Sequence, residues 1–123
     1  MKERNIIKWS EYSEYTELTI PSGEIWMSES ELVDLFGVFI PKLRNAIKAL
    51  YKEGLVKPYE AERTIKKRDN LYVPVDNMEV VMLLAFRLNS YQTRAVRREL
   101  MERIIRDHKP FEVILTAING TIS

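Results

Sequence analysis

The stretch Met27-Ser28-Glu29-Ser30-Glu31-Leu32-Val33-Asp34-Leu35-Phe36-Gly37-Val38-Phe39-Ile40-Pro41 restricts the fold more than any other part of the chain. Ser28 with Glu31 three residues on is the pattern in which each side chain accepts from the other residue's backbone N–H. Met27 and Leu32 have the spacing of the apolar contact that accompanies it. A helix is therefore expected to start sharply after Ser28, with Leu32, Leu35 and Phe36 as its apolar face. Gly37 ends it, because glycine takes the left-handed backbone of a helix stop without steric cost. Pro41 suits the first turn of a second helix, where its missing N–H has no partner to lose. Leu43, Ala46, Ile47 and Leu50 recur there at helical spacing, and Gly54 is expected at the C-cap.

Two short helices around so tight a turn must cross steeply. Leu32 and Phe36 then point inward, Val38 plugs the corner, and Leu43 and Ala46 close it. That is the spacing of a helix-turn-helix. Val33 departs from it, since a smaller residue would ease the approach of the second helix. A helix corner that never touches nucleic acid has the same requirements, so spacing alone leaves both readings open.

Beyond the corner the chain reads as extended. Arg63–Lys67 and Leu71–Val75 bracket the turn-prone Arg68-Asp69-Asn70, which predicts a hairpin with a basic tip. A hairpin in that position is how the wing of a winged helix-turn-helix would look. Upstream, Thr16–Ile20 and Ile25–Met27 flank Pro21-Ser22-Gly23-Glu24 and read as another hairpin, with a further strand around Ile6–Trp9. Downstream, Asp76 and Glu79 repeat the capping pattern, with Val75 and Val80 as its apolar pair. The helix they open, roughly 77–88, is apolar on every side and belongs in a core or an oligomer interface. Ser90 is expected to cap a last long helix to about Asp107, with Val96, Leu100, Met101 and Ile104 inward. Arg97 falls within that inward stripe and is expected to find a structural partner, as an ion pair or by reaching solvent. Pro110 stops the helix, and Phe111–Ile118 before Asn119-Gly120 is assigned to neither helix nor strand.

Charge divides along the chain. Residues 1–40 carry 3 basic and 8 acidic side chains, whereas residues 41–73 carry 9 and 4. The basic part thus begins with the second helix of the corner, which hints at a nucleic-acid face; a set of solvated helix faces is the bland alternative. In a major groove that helix would present Arg44 and Asn45, whose side chains bond guanine and adenine bidentately. Lys42, Lys48 and Lys52, with Lys66, Lys67 and Arg68 at the hairpin tip, are assigned to phosphates, which position without reading sequence. Phe39 and Ile40 fit a thymine methyl or a protein partner instead.

Catalytic chemistry finds little to build on. There is no cysteine, one histidine (His108, expected in the last turn of a helix), and four dispersed glycines that form no phosphate loop. The close pairs Glu29/Glu31 and Asp76/Glu79 are explained by helix starts. Trp26 is expected in the core rather than as a stacking platform. No metal, no cofactor and no enzymatic activity are expected. No apolar run nears the roughly 18 residues of a membrane span, and the first residues lack a signal-peptide core; a cytoplasmic location is the expectation.

The segments Gly23-Glu24-Ile25-Trp26-Met27-Ser28 and Leu32-Val33-Asp34-Leu35-Phe36-Gly37-Val38 resemble the opening of the bacterial virulence protein RhuM family, with its tryptophan-containing strand running into an "LFGV" helix-turn-helix. Asn77-Met78-Glu79-Val80-Val81 and Phe86-Arg87-Leu88-Asn89-Ser90 are similar to that family's "NLD-x-I" and "YRV-x-S" segments. The resemblance covers about residues 16 to 105 in order and spacing, with few identities. It implies a DNA-binding-like protein often associated with mobile elements. Phe39-Ile40 departs from the family, which tends to be polar there, and a tryptophan expected in the last helix is missing.

The expectation is thus one α+β domain over 1–123. A hairpin and winged helix-turn-helix (16–75) precede a helical part (76–109) and a tail (110–123). The expected role is sequence-specific binding of double-stranded DNA by a bacterial regulator or mobile-element accessory protein. The competing reading is a protein-interaction module that keeps the scaffold without contacting DNA. A homodimer is expected, because the 77–88 helix and the tail offer more apolar surface than one small domain needs.

Overall fold

The first helix of the corner starts and stops where Ser28 and Gly37 place it, and the second begins beside Pro41. The protein, seen in a computed structural model, is described over residues 4–106. In chain order its elements are β1 (Lys8–Glu11), β2 (Thr16–Thr19), β3 (Trp26–Ser28), α1 (Glu29–Phe36), α2 (Ile40–Lys52), α3 (Pro58–Ala61), β4 (Glu62–Arg68), β5 (Leu71–Asn77), α4 (Met78–Arg87) and α5 (Tyr91–Arg106). The class is mixed α+β. His108, the stop at Pro110, the Phe111–Ile118 segment and the Asn119-Gly120 turn lie outside the described residues.

Both hydrogen bonds of the capping pair at α1 are present: the Glu31 N–H donates to Ser28 Oγ (3.4 Å) and the Ser28 N–H to Glu31 Oε1 (2.8 Å). Gly37 ends the helix at φ 62°, its N–H donating to the Val33 carbonyl at 2.8 Å. Eight residues make a helix too short to persist alone. Distant side chains hold it by taking its last carbonyls. Gln92 donates to Asp34 O (3.2 Å), Trp9 Nε1 to Leu35 O (2.9 Å), and the hydroxyls of Ser90 and Thr93 to Phe36 O. With Gly37 on Val33, the last four carbonyls of α1 all have donors.

α2 buries Leu43, Ala46 and Leu50, with Ile47 partly covered. Its C-cap is Glu53, so Gly54 stands one residue beyond the position expected for it. There, at φ 74°, it donates to Tyr51 O while Leu55 donates to Leu50 O, the bond pair that reverses a chain after a helix.

The strands are paired differently from the local pattern. β2 does not pair with β3. It pairs antiparallel with β1 (Lys8↔Thr19 to Glu11↔Thr16), so the N-terminal hairpin consists of β1 and β2. β3 instead joins β5 (Trp26↔Asn77, Met27↔Asp76, Ser28↔Val75), and β4 lies on the other side of β5, giving the order β3-β5-β4. Alternation says which face of a strand is apolar but not which edge it seeks. Here β3 meets β5 with Met27 beside Asp76 and Ser28 beside Val75, so the fully buried Met27 and Val75 lie on opposite faces of the sheet.

That pairing also moves the second expected cap. Asp76 is held in β5, flanked by Met27 and Glu62, and the N-cap of α4 is Asn77, whose Oδ1 accepts from the Val80 N–H at 3.1 Å. Val80 through Ala85 are all buried within this one chain, against α2, α5 and β5. The all-round apolar helix is therefore a core helix, with Met78 and Phe86 only partly buried at its two ends. A single buried cluster runs from Ile7 to Leu100.

Candidate nucleic-acid interface

α2 leaves one face outside this core. Lys42, Arg44, Asn45, Lys48 and Lys52 are all exposed on it. Lys42, Asn45, Lys48 and Lys52 form no side-chain hydrogen bond or ion pair among the described residues. No acidic residue occurs within α2 itself. Arg44 differs from its neighbours. Its Nε and Nη2 donate to the two carboxylate oxygens of Glu29 at 2.6 and 2.9 Å, which ties α2 to the start of α1. The Arg44 hydrogen bond holds the Glu29 carboxyl below its ordinary range. One of the two residues assigned to base reading is thus already engaged, and Asn45 is not.

The turn before α2 projects the pair that set this chain apart. Val38 is buried, while Phe39, the extended N-cap residue, is 86% exposed and Ile40 42%. The Phe39 carbonyl accepts the Leu43 N–H at 3.1 Å, so the backbone carrying the ring is fixed.

The basic hairpin comes after α3. Lys66, Lys67 and Arg68 are exposed at the end of β4, and Asn70 closes the turn at φ 55°. A register shift between Lys66 and Arg68 breaks the strict alternation, as a bulge does, and re-aims the side chains there. Opposite Lys66 stands Tyr72, 58% exposed. Sequence reasoning passed over Tyr72, although its alternation with Val73 and Val75 would have put it outward. It also passed over Arg63, whose guanidinium lies 3.8 Å above the ring of Trp26. Trp26 is half-buried between that cation and the core, with an indole N–H that has no acceptor among the described residues.

Arg97 finds a partner, but not a carboxylate. Its Nε donates to Ala85 O (2.7 Å) and its Nη2 to Leu88 O (2.8 Å), closing the C-terminal end of α4. Among the described residues no group of three histidine, aspartate or glutamate side chains is placed to hold a metal ion, and no helix is long and apolar enough to cross a membrane. An open cleft of about 250 Å³ lies between the N-terminal segment and α1. Of its two carboxylates, Glu31 and Asp34, Glu31 is already taken by Arg4 and the Ser28 N–H. Burial opposes ionisation of Glu31, yet these two donors outweigh it and its pKa is lowered.

No protein-family model, curated protein or solved structure matches the chain.

Proposed function

We propose that this is a non-enzymatic, sequence-specific double-stranded-DNA-binding protein of the winged helix-turn-helix type, RhuM-like, acting in the bacterial cytoplasm as a regulator or mobile-element accessory protein. The observation that carries the reading is the order of elements, together with the exposed cations on two of them. A strand leads into α1, a tight glycine turn leads into α2, and a hairpin comes next whose inner strand β5 pairs with the strand before α1. α2 and the hairpin tip are both exposed and cationic, and both fall in the segment with 9 basic and 4 acidic residues; α5 exposes Arg94, Arg98 and Arg106 as well. In such a frame α2 enters the major groove and the hairpin tip meets the backbone. Lys42, Lys48, Lys52, Lys66, Lys67 and Arg68 take phosphates, and Asn45 and Arg44 take base edges. Arg44 has to turn one edge of its guanidinium from Glu29, or read with the edge that Glu29 leaves open. Two copies across a palindromic site would double the few base contacts that one α2 offers.

A salt titration of duplex binding tests this. Each phosphate neutralised makes log K fall by about 0.9 per log unit of salt. Lys48→Ala is expected to weaken all duplexes alike and to reduce that slope by about one. Asn45→Ala is expected to flatten the difference between sites by about 1–3 kcal/mol. Light scattering with and without duplex reports the stoichiometry. Absence of duplex binding at low salt would sink the reading and favour its competitor, a protein-docking module built on the exposed Phe39 and Ile40.

A further inference from the structure

The exposed Phe39 has no work to do in the fold. A phenylalanine gains roughly 1.5–3 kcal/mol of transfer free energy only when it is buried; at 86% exposure this one gains almost none. Single exposed apolar residues are ordinary. This one is the most exposed large hydrophobic among the described residues. It sits next to another, Ile40, on a fixed backbone at the leading end of α2. The sequence that follows it is cationic: Lys42 and Lys48 come next on α2 with no acidic residue in that helix, while Arg44 and Glu29 offset each other as an ion pair. An apolar tip rimmed by lysines complements a target whose centre is apolar and whose rim is anionic. In the major groove of DNA the C5-methyl of thymine is the apolar group, and the phosphates form the rim.

We propose, building on the DNA-binding reading, that Phe39 with Ile40 beside it contacts thymine methyl groups, so that α2 selects A·T base pairs with Asn45 as the adenine-reading partner. The engagement of Arg44 by Glu29 points the same way. The side chain suited to guanine is held, whereas the one suited to adenine is free. The two departures from a polar reading helix, Phe39 and Ile40, thereby become the specificity element.

The test removes or adds the methyl group without altering hydrogen bonding. Affinity is measured at low salt for an alternating A·T duplex of about 20 base pairs, long enough for two half-sites one helical turn apart, and for the same duplex with every thymine replaced by deoxyuridine. An alternating G·C duplex is compared with its 5-methylcytosine form. Wild-type protein is expected to bind the thymine duplex more tightly than the uracil duplex by about fourfold for each methyl contacted, the fold-change equivalent of about 0.8 kcal/mol. Methylation of the G·C duplex is expected to tighten binding in the same sense. Phe39→Ala, folded as shown by an unchanged denaturant midpoint, is expected to bind all four with no methyl dependence. Equal wild-type affinity for thymine and uracil duplexes overturns the methyl contact while leaving DNA binding in place. Methyl dependence that persists in Phe39→Ala overturns the assignment to this residue. No duplex binding by wild type overturns both this inference and the reading on which it rests, and turns Phe39 over to a protein partner.

Discussion

Replacing Asp76 by asparagine asks whether β5 holds a carboxylate against its own desolvation. Asp76 is 9% exposed and lies between Met27 of β3 and Glu62 of β4. The groups acting on it from the packed elements are Tyr51 of α2, Glu62 of β4 and Glu29 of α1. Burial pushes its pKa up. The Tyr51 hydroxyl, donating at 3.2 Å, favours the carboxylate, while Glu62 and Glu29 disfavour it; the result is about 6 against an ordinary 3.8. A raised folded pKa means that the folded chain binds the proton more tightly than the unfolded one. The contribution of this group to stability is then fully present below about pH 4, declines as pH rises, and is gone above about pH 6. The gap corresponds to about 3 kcal/mol. Asparagine keeps the volume and an acceptor for Tyr51 but cannot ionise. Asp76→Asn is therefore expected to be more stable than wild type at about pH 8, by at most about 3 kcal/mol because the amide is desolvated too. That advantage should disappear by about pH 4. Denaturant midpoints of both proteins across this range measure it. Taking the difference removes Glu31 and Glu53, whose lowered pKa values make their contributions fade as pH falls. A difference that does not change with pH, or a less stable variant at the alkaline end, would refute the burial argument.

Other perturbations probe neighbouring contacts. Arg97→Ala leaves two carbonyls at the end of α4 without their charged donor and should cost about 2–3 kcal/mol in chemical denaturation, with Arg97→Lys recovering part of it. Ser28→Ala and Asn77→Ala should each cost about 1 kcal/mol, the usual worth of an N-cap; unchanged midpoints would mean these caps are idle. Gly37→Ala forces a side chain into the left-handed region, at about 1–2 kcal/mol. It also drives a Cβ against Gln92 Oε1, so its effect should be non-additive with Gln92→Ala in a double-mutant cycle.

Local rules carried the helical corner. Ser28 and Glu31, Gly37, Pro41 and the Leu43–Ala46–Leu50 spacing act over distances of one helical turn, and each is where its chemistry put it. The hairpin of β4 and β5, the outward cations of α2 and the exposure of Phe39 were legible for the same reason. Strand pairing was not, because it needs a partner: β3 chose β5 over its sequence neighbour β2, setting Met27 beside Asp76 on one face and Ser28 beside Val75 on the other. Pairing on both sides of β5 then kept Asp76 in the strand and passed the cap to Asn77, although the two residues cap equally well in isolation. The carbonyls that end α1 found donors 26 to 58 residues away, in Trp9, Ser90, Gln92 and Thr93. Arg44 turned from a free base reader into half of an ion pair because α1 brought Glu29 beside it. Helix starts and stops, and the faces that carry charge, were set by neighbours within a turn or two along the chain. Which edges meet was settled by packing over the whole domain, because an unpaired strand edge or helix terminus specifies that it needs a partner and not which one.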